Sequence, residues 1–320
     1  MAREQWLDGW VKRLVDCPHY HVVFTVPHDL NTLWRFNRKL FASALFAAAS
    51  GALKKLLADP KYLGATPGML AALHTWSQTL ATHVHLHVLV TAGGLDENNT
   101  WRTPLKSCLL PRKVLMMIFR GKLRSELLDA LERGELRLPP DQSAAQLRGL
   151  LNKVGREVWN VKILDRYEHG AGVVTYLARY LKGAPIAASR IISTSQDSVR
   201  FRCRGNARDG EGSSGECRLT IGEFFKRLLN HVPPRGMKTV RGYGLYAGGQ
   251  REQLNIARER CGQTALVGQV SKPLRWQDLC ERMGLSSQTV CGVCSAALVM
   301  VSHFRSGRSP PVWVRSCQVT

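Results

Sequence analysis

Apolar and polar residues alternate along some short stretches of this chain and recur at helical spacing along several longer ones, so both strands and helices are expected. The stretch 19–27, HYHVVFTVP, is β-branched and aromatic and closes on a proline, which predicts a strand. Residues 30–57 are rich in alanine and leucine with spaced Arg35, Arg38, Lys54 and Lys55, and predict a helix broken near Ser50-Gly51. Residues 69–76 and 83–91 predict two further strands, paired antiparallel, with the second central in a small sheet and closed by turn residues Gly93-Gly94. Helical patterns over 112–132 and 143–158 are joined through Pro139-Pro140, a short strand follows over 161–167, and a helix begins after Gly170-Ala-Gly172 and ends near Gly183 and Pro185. The expected class is α+β: a central antiparallel sheet flanked by helices.

Past Pro185 the composition shifts. Arg200, Arg202 and Arg204 alternate in SVRFRCRG, and the loop NARDGEGSSGE leads to CRLTIGEFFKRLL, which predicts a hairpin with a positive face and then a helix in a basic, mostly α/β region. Three segments follow: a core over 1–185, a basic region over 186–262 and a small cysteine-containing segment over 263–320, whose last stretch reads as weakly structured.

The chain has 320 residues, with 45 basic against 24 acidic side chains and a formal net charge of +21. Residues 171–320 hold 22 basic and 9 acidic groups, so most of the excess lies in the second half. A polyanionic partner is implied, and nucleic acid is the first choice. No apolar run approaches the ~20 residues of a spanning helix, and the start MAREQWLDGWVKRL lacks the apolar core of a signal peptide, so no membrane partner and a cytoplasmic location are expected. The nine cysteines are scattered and odd in number, which suits reduced thiols. Only Cys291-Gly-Val-Cys294 has metal-ligand spacing, and it marks the place for a structural Zn²⁺ if two further ligands join it.

The candidate chemistry begins with His83, His85 and His87 at alternate positions in THVHLHVLV. In a strand their imidazoles share one face, ~7 Å apart, while Val84, Leu86 and Val88 take the other. Three imidazoles on one face need hydrogen-bond partners or a metal. Tyr176 and Tyr180, four apart on a predicted helix, project from one side with Arg179 and Lys182 close by. A phenol with a reference pKa of ~10 is a poor nucleophile near neutrality unless a base, a cation or a polarised target helps it. Two strand histidines can hold a divalent cation that polarises a phosphodiester, and a tyrosine opposite can attack the phosphorus and keep the cut end as a phosphotyrosine.

These motifs resemble the two-tyrosine HUH rolling-circle transposases of the insertion sequence ninety-one group. The resemblance rests on YHVVFTVPH from Tyr20, on HVHLHVLV from His83 through Gly94, on YLARYLKGAP from Tyr176, and on the 224–245 region ending Arg-Gly-Tyr-Gly-Leu. It implies an HUH endonuclease-like core over 1–185, with His85 and His87 as metal ligands and Tyr176 and Tyr180 as nucleophiles. It also implies Mg²⁺ or Mn²⁺ and nicking and joining of single-stranded DNA at transposon ends and target through a 5′-phosphotyrosine. His21 is the choice for a third ligand, with His83 and Glu168 as rivals. Arg179, Lys182, Arg200, Arg202 and Arg204 are expected to hold DNA. Members of that group commonly begin with a cysteine-rich zinc-binding module ahead of a segment like AREQWL, and this chain is expected to lack it.

Two other readings compete. His83 to Leu89 also fits the pattern of histidine-triad nucleotide hydrolases and transferases, with His85 as nucleophile, but that leaves the tyrosine pair and the basic second half unused. A catalytically inactive nucleic-acid-binding remnant would use the arginine-rich hairpin with Trp76, Trp101 and Phe201.

Overall fold

The computed structural model describes residues 2–104, 109–181, 185–204, 214–266 and 278. Its centre is β3 (Thr82–Leu95), flanked by β1 (His19–Thr25) and β2 (Thr66–Trp76), both antiparallel to it. β5 (Val161–Tyr167) adds to the free side of β1 and β9 (Val240–Gly244) to that of β2, giving the order β5-β1-β3-β2-β9, while β4 (Trp101–Arg102) pairs with the end of β3. The histidine strand is therefore central, as its mixture of apolar and imidazole positions predicts. The α+β class with a central antiparallel sheet flanked by helices holds.

One face of the sheet forms the main core. Val22, Phe24, Met69, Ala71, Leu73, Val84, Leu86 and Val88 point into it and meet α3 (Arg38–Leu57), α4 (Arg112–Glu132) and α5 (Ala144–Val154). α3 is long and apolar enough to cross a bilayer by length and composition, contrary to the expectation that no such run exists. Its apolar side chains, among them Phe41, Leu45, Phe46, Leu53 and Leu57, are instead buried inside the protein, where alanines let the helix sit close to the sheet.

The helix expected over 30–57 is broken, though not at Ser50-Gly51. α2 (Asn31–Phe36) ends at Asn37, whose backbone leaves the helical region at φ −130°, ψ 35°. The Asn37 amide donates to the carbonyls of Leu33 and Arg137, and its Oδ1 accepts from Arg137 N–H, so one side chain satisfies three backbone groups at the break. Ser50 stays helical by donating to the Phe46 carbonyl, and Gly51 continues the helix beside the Lys122 side chain. Gly93 and Gly94 are not turn residues either. They lie inside β3, where a side chain on Gly93 would meet the Trp101 ring at 2.5 Å and one on Gly94 the Thr66 carbonyl at 2.5 Å.

The second face carries a smaller cluster of Leu14, Leu70, Ala72, Leu89, Val173, Val174, Tyr246 and Leu254. Here α6 (Ala171–Leu181) covers the sheet, with α1 (Ala2–Val11) packed on α6 and α8 (Arg251–Arg260) near β3. The basic hairpin is present as β7 (Ser198–Arg204) and β8 (Ser214–Thr220), joined by β6 (Ile191–Thr194) into a separate three-stranded sheet. Phe201 and Val199 on its inner side pack with Leu80, Ile186 and Phe224, the last from α7 (Ile221–Leu229).

Candidate functional site

The period of two in β1, β2 and β3 decides which side chains share the second face. β3 presents His85, His87 and Leu89 there, β2 presents Leu70, Ala72 and His74, and β1 presents His19 and His21. Register brings the imidazoles together: His74 is opposite His85, and His21 is opposite Leu89, one step along from His87.

His85 Nδ1 lies 2.8 Å from the His83 carbonyl, which can only accept, so this nitrogen carries the proton and Nε2 presents a lone pair. That Nε2 is 2.8 Å from His74 Nδ1. His87 Nδ1 is 2.8 Å from His21 Nε2, which fixes the orientation of the His87 ring from behind. One ligand atom from each of His74, His85 and His87 lies within 4.8 Å of the other two. Burial pushes His85 and His21 down to about 4, and drives His74 and His87 well below their usual value, with neighbouring histidines adding to the effect. All four rings are therefore neutral at physiological pH, the state in which an imidazole ligates a metal. Bonds of about 2.1 Å from one ion come close to spanning such a triad. The donor set thus fits a divalent cation with open positions.

His74 is the site residue that sequence reasoning missed. It occupies an inward position of a predicted strand paired with the histidine strand, and that pairing was the available signal. Its ring also meets Trp76 edge to face, with centroids 3.9 Å apart. Of the two rivals for the third ligand, His83 lies beside the triad, its ring centroid 4.8 Å from that of His85 and 5.4 Å from that of His28, whereas Glu168 is exposed, 3.8 Å from Arg166.

Tyr176 and Tyr180 lie on α6. The helix is anchored by Val173, Val174 and Ala178, and the two valines join Leu70, Ala72 and Leu89 on the histidine-bearing face of the sheet. At its start, a side chain on Gly170 would meet the His19 ring at 3.0 Å, so glycine lets the helix begin hard against β1. The side chains of Tyr176, Arg179 and Tyr180, together with Lys182, the Arg204 side chain, Cys291 and Cys294, lie outside the described residues.

A second buried chain of hydrogen bonds braces this face. His19 Nδ1 donates to the Cys17 carbonyl, so Nε2 accepts from the Tyr246 hydroxyl, which in turn accepts from Val15 N–H. On the hairpin, Arg200 and Arg202 point outward beside Arg218, opposite in register to Arg200, with Glu216 3.6 Å from Arg200. Arg218 was not singled out by the alternation of arginines, because it belongs to the partner strand.

Residues 68–253 match the model of a family described as "Putative transposase" (Y2_Tnp). The chain is 30% identical over 319 residues to "Putative transposase y4qJ" of Sinorhizobium fredii, an alignment covering 97% of this chain and 80% of that protein. It is 31% identical over 251 residues to "Transposase for insertion sequence element IS801" of Pseudomonas savastanoi pv. phaseolicola, covering 77% of this chain and 58% of the relative. The matched span contains the histidine triad and both tyrosines.

Proposed function

The chain belongs to the Y2_Tnp transposase family, and from that premise we propose that it nicks and joins single-stranded DNA at element ends through a 5′-phosphotyrosine. The observation that carries this reading is the sharing of one sheet face by the histidine triad and by α6, the helix that bears Tyr176 and Tyr180.

In this mechanism His74, His85 and His87 would hold a divalent cation, and His21 would orient His87. Three imidazoles would suit Mn²⁺ better than Mg²⁺, which prefers oxygen. The bound ion supplies charge neutralisation and polarisation of the phosphodiester. The phenol oxygen of one tyrosine attacks phosphorus, forming the P–O bond of the phosphotyrosine as the bond to the 3′ oxygen breaks. The phenolic proton is lost and the 3′ oxygen leaves as a hydroxyl. Reversal by a second 3′-hydroxyl releases the tyrosine and joins the strand, and the second tyrosine allows another cut while the first end is held. Arg200, Arg202 and Arg218 on the outward face of the hairpin hold DNA phosphates.

The test is cleavage of a labelled single-stranded oligonucleotide carrying the terminus of the encoding element. Tyr176→Phe/Tyr180→Phe is expected to lose cleavage by at least a hundredfold while still binding the oligonucleotide. Cleavage at the wild-type rate by the double variant removes the mechanism.

A further inference from the structure

A cavity of about 370 Å³ opens at the end of β2, between Trp34 and Arg38 of the helical layer and the 228–239 segment that precedes β9. Its walls are Trp34, Leu73, Trp76, His231 and Met237, with Arg38 and Asn230 supplying polar groups. Four features narrow what it can take.

First, the size lies at the small end of the range for small-molecule sites. Second, the polar inventory is sparse and already oriented. His231 Nε2 donates to the Leu80 carbonyl and Nδ1 accepts from the Thr75 hydroxyl, so that ring is held as a wall. Arg38 donates to Asn230 Oδ1 at 3.4 Å and to the Val232 carbonyl at 3.3 Å, leaving the Asn230 amide hydrogens and the remaining guanidinium N–H groups of Arg38 as the donors near the opening. Third, the charge is of one sign: no carboxylate lines the cavity among the described residues, and exposed Arg35, Arg235 and Lys238 stand on the flanking segments. Fourth, Trp76 connects the cavity to the metal triad. Its ring centroid is 3.9 Å from that of His74 on one side and 5.7 Å from that of His231 on the other. A group in the cavity is therefore within a short stretch of strand from a phosphate at the triad.

A flat aromatic group on an anionic tether meets all four conditions, and an apolar peptide side chain meets only the first two. We propose that this cavity receives one unstacked nucleobase of the DNA strand next to the reacting phosphate, with Trp76 as its platform, Asn230 reading its edge and Arg38 holding the adjoining phosphate. The proposal rests on the single-stranded DNA reading above and adds a specificity pocket to it.

The experiment uses the full chain with fluorescein-labelled oligo-dT of 20 nucleotides and an abasic strand of equal length, titrated at several salt concentrations. Thr239→Trp fills the cavity, and Asn230→Leu removes the amide with little change of volume. Wild type is expected to prefer oligo-dT over the abasic strand by about 5- to 100-fold, the range for one stacked base. Thr239→Trp should shrink that ratio at least fivefold, and Asn230→Leu severalfold, with the dependence of affinity on salt unchanged. Where Thr239→Trp does not fold, photo-crosslinking of wild type to an oligonucleotide containing 5-iodo-deoxyuridine decides, with adducts expected on peptides containing Trp76 or Met237. Binding of oligo-dT with a ratio untouched by either variant, or with adducts only on other peptides, overturns the pocket and leaves the wider function standing. No salt-dependent binding of either strand overturns both.

Discussion

A buried imidazole in this sheet is held neutral, and that has a cost when the solution is acidified. His19 is fully buried between the Cys17 carbonyl and the Tyr246 hydroxyl, and burial pushes it from the usual 6.5 down to about 4. Below pH 6.5 an unfolded chain takes up this proton before the folded one does. The stability due to neutral His19 is therefore complete above pH 6.5 and lost as the pH falls towards 4, a change on the order of 3 kcal/mol. Thermal melts from pH 7 to pH 4 should show Tm falling through this window, with a shallower slope for His19→Asn. A wild-type Tm that is flat from 6.5 to 4 contradicts the assignment. The metal site makes a separate prediction. Loss of a ligand in His85→Ala should abolish Mn²⁺ binding measured by calorimetry, whereas His21→Phe, which removes only the orienting partner of His87, should weaken it about 10- to 100-fold. Equal loss in both variants would make His21 a direct ligand.

Among the elements, β9 shows how tightly the sheet edge is built. Gly244 has φ +56°, and a side chain there would collide with the Pro67 carbonyl across the β2–β9 pair. Gly244→Ala should cost about 2–4 kcal/mol and lower the urea midpoint, and unchanged stability would show that this edge can shift freely. β9 was not legible in the sequence for the same reason. Val-Arg-Gly-Tyr-Gly has no apolar alternation, and its place is set by the close backbone approach that glycine permits. β1, β3, α4 and α6 were legible because a period-two or helical pattern runs through each; proline or glycine bounds β1, α4 and α6, whereas Gly93-Gly94 read as a turn placed the end of β3 too early. The break at Asn37 was not, since its cause is a hydrogen-bond pair with Arg137, a hundred residues away. The site divides in the same way. His85 and His87 announce themselves by alternation within one strand, whereas His74 joins them only through strand pairing, a long-range contact that no local pattern records.

At the scale of the whole molecule the two faces of the sheet have different work. One is filled by α3, α4 and α5 and supplies most of the apolar burial. The other is built more thinly, with α6 over a surface that holds five neutral imidazoles, His19, His21, His74, His85 and His87, in its floor. The net charge of +21 draws a polyanion to the chain. The most direct measurement of the central claim is a denaturing gel of the protein incubated with labelled single-stranded terminal DNA and Mn²⁺, followed by mass spectrometry of the retarded band. The account predicts a covalent adduct on Tyr176 or Tyr180 that disappears with chelator and in His85→Ala. An adduct on another residue, or one that forms equally well without metal, would contradict it.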